Sequence, residues 1–493
     1  MLHPIVLQVR SFSAGGVLSL PLVVDLDGTL LRTDTLHESA VRLLRDHPVD
    51  LARLPFWLMA GKAFMKRRIA ERIRIDPAGL PYRVDLLAWL RAERDAGRTL
   101  ILCTAADRSI AAAVSEHLGI FETVIASDGA TNMAGSHKAD ALVERFGAAG
   151  FDYAGNASAD LPVWARARRA IVVDAPPDVA RRARELGTVE REFAREPVGL
   201  RHWGRVLRVH QWLKNLLLFV PLIGAHRLLD GDAWVALLVA FLAFSLCASA
   251  VYVGNDLFDL DSDRTHPRKR NRPFASGAVP VKTGVVAVPV LLVASALFGL
   301  MVGGPFLFWL GVYFLLTCVY TLVLKRIVIV DCLTLALLYT VRIVAGAAAV
   351  SLDLSFWLLA FSTFLFLSLA FVKRYAELQV QSVGGSEKAH GRGYFTADAP
   401  LVQTFGVASG YGSVLVLSLY LNSEAVTLLY QRPEVAGGAV PIVLFWVSWV
   451  WVQAHRGQMN DDPLVFAVKD PASLIAGAAF AAVMALASVG LPW

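Results

Sequence analysis

From residue 212 onward the chain is a succession of long apolar runs cut by short polar ones, a pattern that excludes a single soluble domain. Runs near residues 212–229, 233–254, 283–303, 305–324, 327–350, 354–373, 401–421, 438–454 and 472–490 each approach the length a helix needs to cross a hydrocarbon core. About nine membrane spans are therefore expected, in an all-α polytopic bundle. Before residue 200 the chain is rich in Arg, Asp and Glu and alternates short β-type runs with helical ones, the signature of an α/β domain. The expected division is 1–198 for the α/β domain and 199–493 for the membrane bundle.

The net charge of +6 does not imply nucleic acid, because no aromatic-basic module is present and the cations flank apolar runs. If the N-terminal domain is cytoplasmic, the loops after the second, fourth, sixth and eighth runs share its side. Of the 21 Lys and Arg beyond residue 200, only Arg227 and Arg432 then fall opposite, with Arg342 inside a run. An inner-membrane protein with cytoplasmic active-site loops is expected. Cys103, Cys247, Cys318 and Cys332 lack metal-ligand spacing and read as packing. Leu18 to Leu26 reads as a strand, so no cleaved signal is expected.

The second apolar run ends in GNDLFDLDSDRTHPRKRNR, residues 254–272. On a continuous helix Asp256, Asp259 and Asp263 fall within about 60° of one another, while Asp261 points elsewhere. Like charges on one face repel, and carboxylates near a helix C-terminus oppose its dipole. Mg²⁺ is the natural neutralising partner, since it takes carboxylate oxygens and leaves positions for substrate phosphate. This NDxxDxxxD stretch resembles the first acidic motif of the UbiA-type intramembrane prenyltransferases, which implies a diphosphate held through Mg²⁺ at the cytoplasmic end of a helical bundle, with Asn255, Asp256, Asp259 and Asp263 as the ligands and Asp256 and Asp259 central to catalysis.

Near the N-terminus a buried strand over Leu20 to Leu26 runs into Asp25-Leu26-Asp27-Gly28-Thr29-Leu30. DxDGTL resembles the first motif of the haloacid dehalogenase-like (HAD) phosphohydrolases, whose Rossmann-like fold is then implied. Thr104 at the end of TLILCT, Lys138 in GSHKA and Asp160 in FDYAGNASAD follow in the positions of the later motifs, whereas Asn156 stands where the family usually has Asp. The resemblance implies that Asp25 is the nucleophile and Asp27 the general acid and base. It implies further that Thr104 and Lys138 hold phosphoryl oxygens, and that Asp25, Asn156 and Asp160 bind Mg²⁺. Residues 35–80 interrupt the α/β alternation and suit a small helical cap. Its Lys62, Lys66, Arg67 and Arg68 beside Phe56, Trp57, Met59 and Phe64 read equally as a lid gripping an anionic or lipid-linked substrate and as an amphipathic helix with a solvated basic face. A charged linker helix is expected over Pro177 to Glu196, and an interfacial segment follows it.

Where UbiA-type enzymes carry a second acidic motif, this chain has Lys373-Arg374-Tyr375-Ala376-Glu377. Cations there suit a substrate with an additional phosphate. With LRVHQWLKN, NDLFDLDSDRTHPRKRNRP and VKRYAEL, residues 205–475 resemble the decaprenyl-phosphate phosphoribosyltransferase branch. That implies transfer of 5-phosphoribose from its 1-diphosphate to a polyprenyl phosphate, in service of a cell-wall precursor or another pentose lipid. Lys214, Arg264, Lys269, Arg270, Arg272, Arg342, Lys373 and Arg374 are the candidate phosphate contacts. Arg342 reads alternatively as paired for structure, and Lys214 as a snorkelling anchor. The fusion then reads as a bifunctional enzyme whose HAD half removes the 5-phosphate. Two other readings stay open: prenyl transfer to an aromatic acceptor with an accessory phosphatase, and a phosphatase anchored by a bundle that only binds lipid phosphate.

Overall fold

The computed structural model describes residues 20–194, 197, 199–383, 392–423, 430–459 and 462–489. The residues of the signal-peptide expectation up to 19, Lys388 and Gly391 among the loop clusters, and Asn460 and Asp461 of the last one lie outside these. The chain forms two compact units, one comprising the N-terminal region to Trp203 together with Asp256–Val285, the other Gly204–Asn255 and Val286–Trp493.

The first unit is built on a six-stranded parallel sheet: β1 (Leu22–Val24), β2 (Leu100–Asp107), β3 (Thr123–Ser127), β4 (Asp152–Gly155), β5 (Arg169–Val173) and β6 (Thr188–Phe193), in the order β3-β2-β1-β4-β5-β6. Val24 sits opposite Leu102 on one side and Ala154 on the other, so β1 is central. Its three residues are wholly buried, as a parallel strand covered on both faces requires. β1 is shorter than expected because the chain leaves the extended form at Asp25 and enters a wide turn, Leu26–Leu30, in which Gly28 has φ 73°. The expected linker helix is cut short at Leu186: the alternating TVEREF instead adds β6 along β5, a charged edge strand.

Between β1 and β2 the chain builds the cap from α1 (Thr35–Asp46), α2 (Leu54–Met59) and α3 (Lys62–Ala70). Leu43, Trp57, Ile69 and Ile73 form its own small core. The other helices of the sheet domain are α4 (Val84–Asp95), α5 (Arg108–Leu118), α6 (Ser136–Phe146), α7 (Leu161–Trp164) and α8 (Pro177–Leu186).

Eight helices among the described residues are long and apolar enough to cross a membrane, and a pair bent by 57°, Leu200–Val206 with Val209–Gly224, makes up to nine. This multi-pass bundle matches the expected spans closely. The first, Gly231–Phe258, ends inside the acidic stretch, and a short helix, Leu260–Thr265, follows it. Residues 256–285 pack with the sheet domain. There Gly277 adopts φ 72° and approaches so closely that an added Cβ would stand 2.5 Å from Cβ of Arg32.

Candidate active sites

In the first unit the sheet fixes the site. Asp25 lies where β1 ends, between the ends of β2 and β4, and its backbone N–H donates to the Ala154 carbonyl at 3.0 Å. Thr104 comes from β2, Lys138 from the first turn of α6, and Asn156 and Asp160 from the loop after β4. All five line one cavity of about 160 Å³, together with Asp27, Asp34, Thr35 and Lys66. This is the carboxyl end of a parallel sheet, where such folds place ligands.

The two carboxyls of the DxD motif have different surroundings. Lys138 Nζ donates to Asp25 Oδ1 at 2.7 Å and to the Tyr153 hydroxyl at 2.8 Å, and lies 3.7 Å from Asp160 Oδ1. Burial raises the Asp25 carboxyl, Lys138 opposes it, and the balance is about 6. Burial disfavours the Lys138 ammonium too, but Asp25 and Asp160 outweigh it and hold its pKa above the usual lysine value. Asp27 makes no ion pair among the described residues. It accepts from the Thr35 backbone N–H at 2.7 Å and the Thr35 hydroxyl at 3.2 Å. Burial first, and the neighbouring Asp34 carboxylate next, push it up to about 8. At neutral pH Asp25 is therefore mostly ionised and Asp27 mostly protonated, the division of labour that a nucleophile and a general acid need.

Asp160 organises its own loop by accepting from the backbone N–H of Asn156 and Ala157 and from the Tyr153 hydroxyl at 2.7–3.0 Å. Thr29 Oγ1 lies 3.3 Å from both Asp25 Oδ2 and Asn156 Oδ1, so a carboxylate and an amide oxygen converge there. Such hard oxygen donors fit Mg²⁺, with Asn156 contributing no charge. Thr104, fully buried, accepts from the Ala106 backbone N–H at 3.0 Å. Lys66 reaches from the cap to the Ala105 carbonyl at 2.6 Å and the Asn132 side chain at 2.9 Å.

The acidic stretch departs from a continuous helix. The long span ends at Phe258, and Asp259, at φ −94° and ψ 10°, is the hinge to the next short helix. Arg272 then donates to Asp256 Oδ1 at 3.0 Å and to Asp263 Oδ2 at 2.7 Å, so a cation already bridges two of the three carboxylates. Asp263 is buried and its Oδ1 has no hydrogen-bond partner, an acceptor that suits an added cation. Among the described residues no three acidic, His or Cys side chains gather into a metal-binding group in this conformation. Lys269 and Arg270 are exposed on the following turn. Arg264 is engaged in pairing. It makes a two-bond ion pair with buried Glu38 of α1 and donates to the Ala275 carbonyl at 3.0 Å.

Within the second unit Asn255 donates to the Thr321 hydroxyl at 3.3 Å. Lys214 pairs with buried Asp462. Arg342, from Val330–Ala349, donates to Asn215 Oδ1 at 2.9 Å, the Leu338 carbonyl and the Tyr313 hydroxyl, contacts of the kind its structural alternative expects. Arg374 is fully buried, 2.6 Å from Asp331 Oδ2 and also paired with Glu377. Arg392 and Tyr394 close around the same Asp331, a cluster that residue type alone does not announce. Lys373, next in the chain, has no ion-pair partner among the described residues and stands among Lys214, Asp462 and Glu377.

The UbiA prenyltransferase family matches residues 219–469, and the haloacid dehalogenase-like hydrolase family residues 22–165. An "Uncharacterized protein y4nM" of Sinorhizobium fredii is 38% identical over 95% of this chain and 91% of its own length. "Nodulation protein NoeC" of Azorhizobium caulinodans is 37% identical over 54% of this chain and 87% of its own length. The "Decaprenyl-phosphate phosphoribosyltransferase" of Mycolicibacterium smegmatis is 35% identical over 37% of this chain and 59% of its own length.

Proposed function

Since the chain belongs to the UbiA prenyltransferase family and carries a haloacid dehalogenase-like domain ahead of the bundle, we propose that it makes and then trims one lipid. The membrane half transfers 5-phosphoribose from 5-phosphoribosyl 1-diphosphate to a polyprenyl phosphate, and the sheet domain removes the 5-phosphate of that product. The observation that carries the reading is the unequal pair Asp25 and Asp27 in a chain whose membrane half is 35% identical to decaprenyl-phosphate phosphoribosyltransferases where the two align. We place the sheet domain and the loops that share its side in the cytoplasm of an inner membrane.

In the transferase step an oxygen of the lipid phosphate attacks the anomeric carbon while the bond to the diphosphate breaks. The nucleophile is already anionic, so no strong base is required. Asn255, Asp256, Asp259 and Asp263 are proposed to hold Mg²⁺, which supplies charge neutralisation for the departing diphosphate. Arg272 exchanges carboxylates for donor oxygens, Lys269 and Arg270 meet the outer phosphates, and Lys214 and Lys373 receive anionic oxygens in the membrane unit.

In the phosphatase step an Asp25 oxygen attacks phosphorus and the ester oxygen leaves with the proton of Asp27. Lys138 and Thr104 hold the phosphoryl oxygens, and Asn156 and Asp160 complete a Mg²⁺ site that offsets carboxylate-phosphate repulsion. Water then attacks the aspartyl-phosphate, Asp27 takes its proton, and inorganic phosphate is released.

The test is incubation of membranes containing the protein with labelled 5-phosphoribosyl diphosphate, Mg²⁺ and polyprenyl phosphate. Label enters lipid with the wild type, and Asp25→Asn accumulates the 5-phosphorylated form. No lipid label from either protein rejects the phosphoribosyl reading in favour of prenyl transfer.

A further inference from the structure

The cap carries an apolar tip that nothing among the described residues covers. In α2 Trp57 is buried with Leu43 and Ile69, the Arg72 guanidinium lying 4.6 Å above its ring, and Leu54 packs against the same core. Phe56 is 71% exposed, Met59 85% and Leu58 49%, and Val49, just before the helix, is 79% exposed. Single exposed apolar residues are ordinary, but four within eleven residues form a contiguous apolar surface of the kind that marks an interaction site.

The surroundings of the tip specify its partner. From Val49 to Arg72 the chain has six basic residues, Arg53, Lys62, Lys66, Arg67, Arg68 and Arg72, against Asp50 and Glu71. Lys62, at the start of α3, is exposed and has no ion-pair partner among the described residues. Arg53 and Arg72 pair with Asp50, and Arg67 and Arg68 with Glu71, so the segment keeps an excess of cations over carboxylates with Lys62 left over. Large apolar side chains in a chain segment of net positive charge are the composition of a helix lying in the headgroup layer of an anionic leaflet. Beside composition, α1, which the cap core packs on, is tied to the chain segment that ends the long apolar helix. Arg45, at the C-terminal end of α1, donates to the carbonyl of Phe258 at 3.1 Å, and Phe258 is the last residue of the 28-residue span.

We propose that the Phe56, Leu58 and Met59 face of the cap, with Val49 and Lys62, seats in the headgroup region of the bilayer that the spans cross. The cap is then held to the lipid surface at its tip while Lys66, from the adjoining α3, lines the phosphatase cavity. A phosphate ester on a lipid would meet the cavity without leaving the membrane, and the docking goes beyond the phosphatase reading because it involves no turnover.

The experiment uses the full chain with an environment-sensitive fluorophore on Met59→Cys, reconstituted into vesicles of phosphatidylcholine alone or mixed with phosphatidylglycerol. Glu185→Cys, on the exposed face of α8, serves as reference, and unlabelled-position controls correct for Cys318. The expected result is a blue-shifted emission at 59 that is lost to a headgroup-region lipid quencher, with no loss at 185. Quenching at 59 increases with the anionic lipid and falls when Lys62→Glu is added. Equal, weak quenching at both positions in both vesicles overturns the proposal. So does energy transfer between copies labelled at 59 without lipid quenching, which assigns the face to a second copy of the chain. Because both substitutions are at exposed positions, unchanged thermal unfolding of the labelled proteins verifies the fold. Quenching is read without substrate, so a failed phosphatase assignment leaves this result interpretable.

Discussion

Arg264 and Glu38 stand 226 residues apart in the chain yet meet as a two-bond ion pair, Nη2 to Oε1 at 2.5 Å and Nη1 to Oε2 at 3.0 Å, both side chains almost wholly buried. Arg42 adds a third charge to the pair at 3.0 Å and carries the connection on to Asp261. The loop between two spans is thereby fastened to α1, whose first residue holds Asp27.

Removing one partner of a buried pair costs up to about 3–5 kcal/mol, and less for Arg264→Met, because Arg42 still faces Glu38. Arg264→Met and Glu38→Gln are each expected to lower the unfolding temperature of the full chain in detergent by several degrees, and the double substitution to recover part of the loss. Burial opposes the Glu38 charge, but Arg264 and Arg42 win and hold its pKa below the usual range. Its contribution is therefore complete above the unfolded-state carboxylate pKa and disappears as pH falls through the depressed folded value. Singles that unfold like wild type at neutral pH would contradict this.

The phosphatase pH profile follows from the DxD pair. Plotted as kcat/KM, activity on a soluble phosphate ester is expected to rise as Asp25 ionises near about 6 and fall as Asp27 loses its proton near about 8. Asp34→Asn removes a carboxylate that raises Asp27 while an Asn still caps α1, so the alkaline limb moves to lower pH and the acid limb stays. An alkaline limb that does not move rejects Asp27 as the group responsible.

Asn156→Asp restores a charge to the oxygen set beside Asp25. The Mg²⁺ concentration for half-maximal phosphatase activity is expected to fall roughly tenfold, the effect of about 1.4 kcal/mol in ligand charge. A titration with unchanged midpoint would show that this oxygen does not meet the ion.

Lys373 and Arg374 are neighbours with opposite expected phenotypes. Arg374→Met takes the nearer cation from buried Asp331, leaving it Arg392 at 3.5 Å and the Tyr394 hydroxyl, and is expected to lower the unfolding temperature. Lys373→Met breaks no ion pair among the described residues, so it is expected to reduce lipid labelling at least about tenfold with the unfolding temperature unchanged, as loss of one charged contact to substrate does. Stability loss in Lys373→Met without loss of transfer would reverse the assignment.

How far the sequence disclosed these sites depends on how local each feature is. Strand, turn and DxDGTL are adjacent in the chain, so Asp25 and Asp27 were readable, as were the spans, because apolar length is a property of one segment. Cations near span ends are different. Arg264, Arg374 and Arg342 look alike as residue types, and what distinguishes them is a partner far along the chain: Glu38, Asp331 and Asn215. The break at Asp259 was equally hidden, because a face count assumes an uninterrupted helix. β6 was obscured by its charges, which an edge strand tolerates on both faces.

The seam formed by Glu38, Arg42, Asp261 and Arg264 also bears on how such a chain can be rearranged. Splitting the gene near residue 200 does not yield two self-sufficient proteins. The sheet domain would keep the Glu38–Arg42 pair but lose Arg264 and Asp261 from it, and the bundle would carry Arg264 and Asp261 on a loop without those two partners. Exchange of either half for a homologous one meets the same barrier unless both sides of the seam are exchanged together. A separation of the two halves would therefore have to replace these ion pairs on both sides of the cut.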